Sequence, residues 1–264
     1  AENADDEEKG YIYIADGDFT ITSDGDGMDA SNIVQIEDGT FDITAGGGAA
    51  NSQKTHESDM PGGGMSQNIE RPEGESMPQM GEKPDGENMP QDTTTDESST
   101  STKGIKAGGG MYLNGGTYQI DSADDSIHSN ANITIADGTY TLATGDDGVH
   151  ADDALTVNGG TITVTESYEG LEGLTVTIND GTIDITARDD GINTAGEKME
   201  LNGGYIHILA GGDGVDSNGD LTINGGEIYI DGPSDNGNSA IDYGDRSSAY
   251  VNGGMLVAIG SSGM

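Results

Sequence analysis

Cysteine and tryptophan are absent, phenylalanine occurs twice, and only nine residues are Lys or Arg. Each scarcity removes a class of answer. Without cysteine no disulfide staples the fold, and the redox compartment leaves no mark. Nine basic residues against 49 acidic ones give a formal charge of −40. Phosphate recognition needs clustered Lys and Arg, so nucleic acid is not a natural partner. An anionic membrane surface repels such a chain, and no run of about 18 apolar residues encodes a spanning helix, so no membrane insertion is expected. No signal peptide stands at the start, which is Ala1 rather than Met. Apolar residues make up 31% of the chain, a share that alone points towards disorder. Its 45 glycines say otherwise, because they are not scattered and many recur at a fixed spacing.

Aligned on turns such as NGG and DG, the final glycines fall at 17, 39, 116, 138, 160, 181, 204, 226 and 254. The gaps are 22, 77, 22, 22, 21, 23, 22 and 28, so the longest is one period of 22 plus 55 extra residues. A short strand such as LTV at 155–157 precedes each turn, and a longer one such as TITVT at 161–165 follows it. After an acidic turn comes a third short strand, such as GVHA at 148–151. The long strands alternate with period two, Ile162 and Val164 on one face and Thr161, Thr163 and Thr165 on the other. One repeat cannot bury its apolar face alone, whereas stacked repeats can. The expected fold is therefore all-β, a right-handed parallel β-helix with about 22 residues and three short strands per coil. Asn158, Asn179, Asn202, Asn224 and Asn252 share one turn position. They read either as a stack satisfying turn backbone groups or as plain turn propensity.

Residues 49–103 break the pattern with five of the six prolines and five of the ten methionines. That composition builds no core. The organisation expected is first coils at 1–48, a flexible insert at 49–103, and further coils at 104–264. His56 with Met60, Met65, Met77, Met80 and Met89 offers a soft-metal site as the alternative to an idle loop. Neither end carries a capping helix, so the chain reads as the interior of a larger protein.

The acidic turns also align. The position before the third strand holds Asp26, Lys103, Asp125, Asp147, Glu169, Asp190 and Asp213. One position earlier come Asp124, Asp146, Tyr168 and Asp189, with Asp24 close by in the first coil. Within the third strand lie Asp29, Lys106, His128, His150, Glu172, Asn193, Asp216 and Asp242. Stacking brings row members to about 4.8 Å. Full charges at that spacing repel by roughly 1 kcal/mol in water and about 3 kcal/mol at an effective dielectric of 20. Protonation or bound cations must relieve this, the alternative being a solvated edge screened by sodium. Calcium suits oxygen-rich, loosely shaped sites, whereas zinc wants cysteine or more histidine. The expected calcium ligands are Asp24, Asp26, Asp29, Asp124, Asp125, Asp146, Asp147, Glu169, Asp189, Asp190, Asp213 and Asp216. Lys103 and Lys106 form a basic rung within these rows, and Arg188 stands beside Asp189.

The recurring strings DDGVHADDALTVNGG, DDGINTAGEKMELNGG and GDGVDSNGDLTINGG resemble a clostridial family of secreted carbohydrate-binding β-helix proteins. That family is similar in fold to the calcium-dependent pectate lyases. The resemblance implies an extracellular or cell-surface protein that uses calcium and meets plant cell-wall pectin and cellulose. The lyases hold calcium with a DDxxD pattern, which no site here reproduces in full. Asp146 and Asp147 are followed by His150, and Asp189 and Asp190 by Asn193. The lyases also need a basic residue as proton acceptor, for which Lys106 is the candidate.

The leading expectation is thus a monomeric binding module rather than an enzyme. Its expected sugar contacts are Lys106, His128, His150, Tyr168, Glu172, Arg188, Tyr205, His207 and Tyr229. A pectate-lyase-type elimination with Lys106 as base is the runner-up. Ice binding or adhesion through threonine rows, and a structural stalk without a sugar ligand, are further alternatives. Gln119, Asp184, His207 and Tyr229 interrupt the threonine rows, which counts against ice binding.

Overall fold

The computed structural model describes residues 10–52, 101–234, 237–244 and 246–261. The proposed soft-metal residues and most of the 49–103 insert lie outside these. The described residues form a parallel β-solenoid. Every strand pairing is parallel and joins equivalent positions of successive coils, as in Thr117 to Thr139 to Thr161. No helix among the described residues is long and apolar enough to cross a membrane.

The strands after the Gly turns form one nine-stranded sheet, from Asp18–Ser23 to Met255–Ile259. The other two strands of each coil share a fourteen-stranded sheet. In three successive coils they fuse into single strands, Val149–Val157, Leu171–Ile178 and Ile192–Leu201. Three strands per coil therefore become two sheets. The register shift between Ala151 and Ala154 is the trace of the missing corner. A bulge bends the strand there without ending its pairing.

Apolar side chains at every second position fill the space between the sheets. Ile162, Ile183, Ile206 and Ile228 stack in one row, and Val34, Met111, Ile133, Leu155, Val176 and Met199 in another, all buried. At the N-terminal end the inner row is aromatic. Phe19, Phe41, Tyr118 and Tyr140 lie nearly parallel, with centroids 5.0, 4.7 and 4.6 Å apart. Both tyrosine hydroxyls donate to turn carbonyls, Tyr118 to Gly115 at 2.9 Å and Tyr140 to Asp137 at 2.8 Å.

The asparagines form a ladder of side-chain amides rather than binding turn backbone. Asn179 donates to Asn158, Asn202 to Asn179, Asn224 to Asn202 and Asn252 to Asn224, at 2.7–2.8 Å. Coil spacing explains the choice. An amide presents its NH₂ on one side and its oxygen on the other, so identical residues at strand separation satisfy each other.

Candidate functional site

The acidic rows stack as their spacing requires. In the third strand, Asp29 pairs with Lys106, Lys106 with His128, His128 with His150, and His150 with Glu172. Glu172 then pairs with Asn193, Asn193 with Asp216, and Asp216 with Asp242. A glycine follows Asp26, Asp147, Glu169, Asp190 and Asp213, whereas Ser126 follows Asp125, and the glycines permit tight stacking. A Cβ on Gly170 would sit 2.3 Å from the Gly191 carbonyl oxygen.

The carboxylates also do something that charge counting does not show. Asp26 accepts the Lys103 backbone N–H at 2.8 Å, Asp125 that of Asp147 at 3.2 Å, and Asp190 that of Asp213 at 2.6 Å. Asp147 accepts from Glu169 at 3.4 Å, and Asp213 from the backbone N–H of Ser239. Each acid thus caps the corner of the next coil through a charge-assisted bond. This partly answers how so much charge survives stacking.

Lysines relieve the N-terminal section. Lys103 bridges Asp124 at 3.1 Å and Asp125, and Lys106 lies 3.6 Å from Asp26. Burial alone would lower the Lys103 ammonium, but the charges of Asp125 and Asp124 prevail and hold it above the usual lysine value.

Further along, no lysine among the described residues pairs with these acids, and the acids are strongly perturbed. Burial, then the charges of Asp147 and Glu172, pushes Glu169 up to about 9 against an opposing hydrogen bond from Asn193. Burial and Asp147 raise Glu172 to about 7. Asp190 reaches about 7, chiefly through burial, although the Asp213 N–H opposes it. Burial and then Asp213 take Asp216 to about 6. Burial would lower His150, but its bond to Asp147 and the charges of Glu172, Asp125 and Asp147 push it to about 9.

Four groups bring ligand atoms within 4.8 Å of one another. They are Asp124 with Asp125 and Asp146, Asp125 with His128 and His150, Asp147 with His150 and Glu172, and Asp190 with Asp213 and Asp216. Any of these could hold a metal. Asp24, Asp26, Asp29, Glu169 and Asp189 enter no such group among the described residues. His128, His150 and Glu172, expected to contact sugar, lie in the third-strand row as its alignment required. His128 is only 8% exposed.

The aromatic candidates divide. Arg188 lies over the Tyr168 ring, 5.9 Å from its centroid, and donates to the Gly145 carbonyl at 3.0 Å. Tyr205 and Tyr229 stand on neighbouring strands of the nine-stranded sheet, 5.6 Å apart, and line a shallow hollow with His207 and Asp231. His207 is anchored by Asp184 at 2.9 Å.

The family of carbohydrate-binding domain-containing proteins matches residues 1–148 and again 146–262. The chain belongs to this family. No curated protein and no solved structure gives a match.

Proposed function

We propose that this domain is a secreted, monomeric module that binds acidic plant cell-wall polysaccharide, the galacturonan of pectin, through calcium on its acidic corner. The supporting observation is the group Asp190, Asp213 and Asp216. Among the described residues no lysine reaches it, its carboxyls are all raised by burial and by the charge of nearby acids, Asp189 included, and the neighbouring Asn193 Oδ1 is buried without a hydrogen-bond partner. Carboxylate and amide oxygens are calcium's preferred ligands, and calcium keeps positions open for water or a uronate carboxylate. The Asp124–Asp125 group is a weaker candidate because Lys103 already neutralises it. Tyr205 and Tyr229 supply stacking faces for neutral sugars, which extends the reading to cellulose.

The test is retention on immobilised polygalacturonate and on cellulose, with calcium or with chelator. Calcium-dependent retention on polygalacturonate, weakened by Asp213→Asn, is expected. Equal retention with chelator overturns the calcium bridge. Release of 4,5-unsaturated ends, abolished by Lys106→Ala, would make the protein a lyase instead.

A further inference from the structure

We infer that Asp147, His150 and Glu172 form a site for a divalent transition metal such as zinc, distinct in ligand chemistry from the oxygen-only calcium group. One ligand atom from each of the three lies within 4.8 Å of the other two. Coil stacking brings them together. Asp147 stands at the acidic corner, His150 is the second residue of Val149–Val157, and Glu172 is its partner in Leu171–Ile178 on the next coil. His150 Nδ1 lies 3.0 Å from Asp147 Oδ2 and 3.1 Å from Glu172 Oε2. A ring nitrogen carries at most one hydrogen, so it cannot donate fully to both carboxylates. An ion among the three serves all of them. Ligands at right angles and about 2.1 Å from an ion stand about 3.0 Å apart. Both contacts to Nδ1 have that spacing.

The surroundings orient the donors. Asp147 Oδ1 accepts the Glu169 backbone N–H at 3.4 Å, which leaves Oδ2 for the ion. Across the ring, His150 Nε2 faces Asp152 Oδ1 at 3.5 Å. A proton on Nε2, drawn towards that carboxylate, leaves the Nδ1 lone pair to ligate. Metal-binding histidines are typically oriented by such a carboxylate beyond the ring. Imidazole suits zinc, whereas calcium takes oxygen. Asp147 is nearly buried, but His150 and Glu172 are part-exposed, so water or a ligand oxygen can complete the shell. Among the described residues no lysine pairs with Asp147 or Glu172. One coil earlier the chemistry differs. His128 Nδ1 lies 2.8 Å from Asp125, but Lys103 already pairs with that acid.

The experiment is calorimetric titration of zinc into chelator-stripped protein at neutral pH, repeated in millimolar calcium. Cobalt absorption reports nitrogen ligation. One zinc per chain is expected, undisturbed by calcium, with cobalt bands of a site containing one imidazole. His150→Gln and Glu172→Gln should each weaken zinc at least tenfold, while His128→Gln and Asp213→Asn leave it intact. Thermal melting in chelator shows whether each variant folds, and two variants on different coils keep the test decisive if one does not. Asp213→Asn separates this site from the calcium group, so either can fail alone. Zinc displaced by calcium, or bound equally well by His150→Gln, would show that His150 is only an imidazolium shared by two acids and overturn the inference. An equal loss in His128→Gln would overturn it too, by moving the ion to the preceding coil.

Discussion

At the scale of the residue, the unusual groups are acids raised by burial beside other acids. Glu169 at about 9, Glu172 and Asp190 at about 7, and Asp216 at about 6 all bind protons more tightly folded than unfolded. His150, raised to about 9, acts in the same direction. The folded state then holds more protons than the unfolded one between roughly pH 4.5 and 9, so stability falls as pH rises through that window. This is the reverse of ordinary acid denaturation. Metal-free protein should melt higher at pH 5 than at pH 8.5, by on the order of 5 °C. Glu169→Gln should flatten the slope, because the amide has no charge to desolvate. A melting temperature that rises with pH in chelator would mean that the acids are solvated and unperturbed. The rows were legible in the sequence because the period fixes them. The perturbation was not, since it depends on burial and on which lysine reaches which acid. Lys103 reaches Asp124 and Asp125 and leaves the later coils without relief.

At the scale of the element, repetition turns single residues into ladders. The spacing of the Gly turns gave the coil length and the inward rows. It also held the signal for the aromatic stack, since Phe19, Phe41, Tyr118 and Tyr140 each follow a turn glycine by two residues. Two other features were beyond it. Fusion of the short strands into one sheet depends on how a two-residue corner bulges. The partner of each asparagine depends on side-chain geometry at coil separation. The amide ladder makes its own prediction. Asn202 donates to Asn179 and accepts from Asn224. Asn202→Ala should cost about 1 kcal/mol in urea unfolding, the usual net worth of such bonds. Asn202→Asp should cost more, because its carboxylate faces the Asn179 oxygen with no donor. If both variants match the parent, the ladder is decorative and backbone pairing alone sets the turn.

At the scale of the whole molecule, the parallel solenoid keeps like charges in line from coil to coil. Backbone N–H groups and two lysines absorb part of that load, and the remainder falls on the raised acids Glu169, Glu172, Asp190, Asp213 and Asp216. A cation that binds only the folded chain stabilises it by about 2.7 kcal/mol at a hundredfold excess over Kd. Extracellular calcium modules typically have Kd values of about 10⁻⁴ to 10⁻³ M. The direct measurement is the melting temperature of chelator-stripped protein titrated with calcium, against sodium at matched ionic strength. The account predicts a rise of several degrees by about 10 mM calcium, none from sodium, and a blunted rise in Asp213→Asn. Equal effects of calcium and sodium would contradict it and leave the acidic corner a screened, solvated edge.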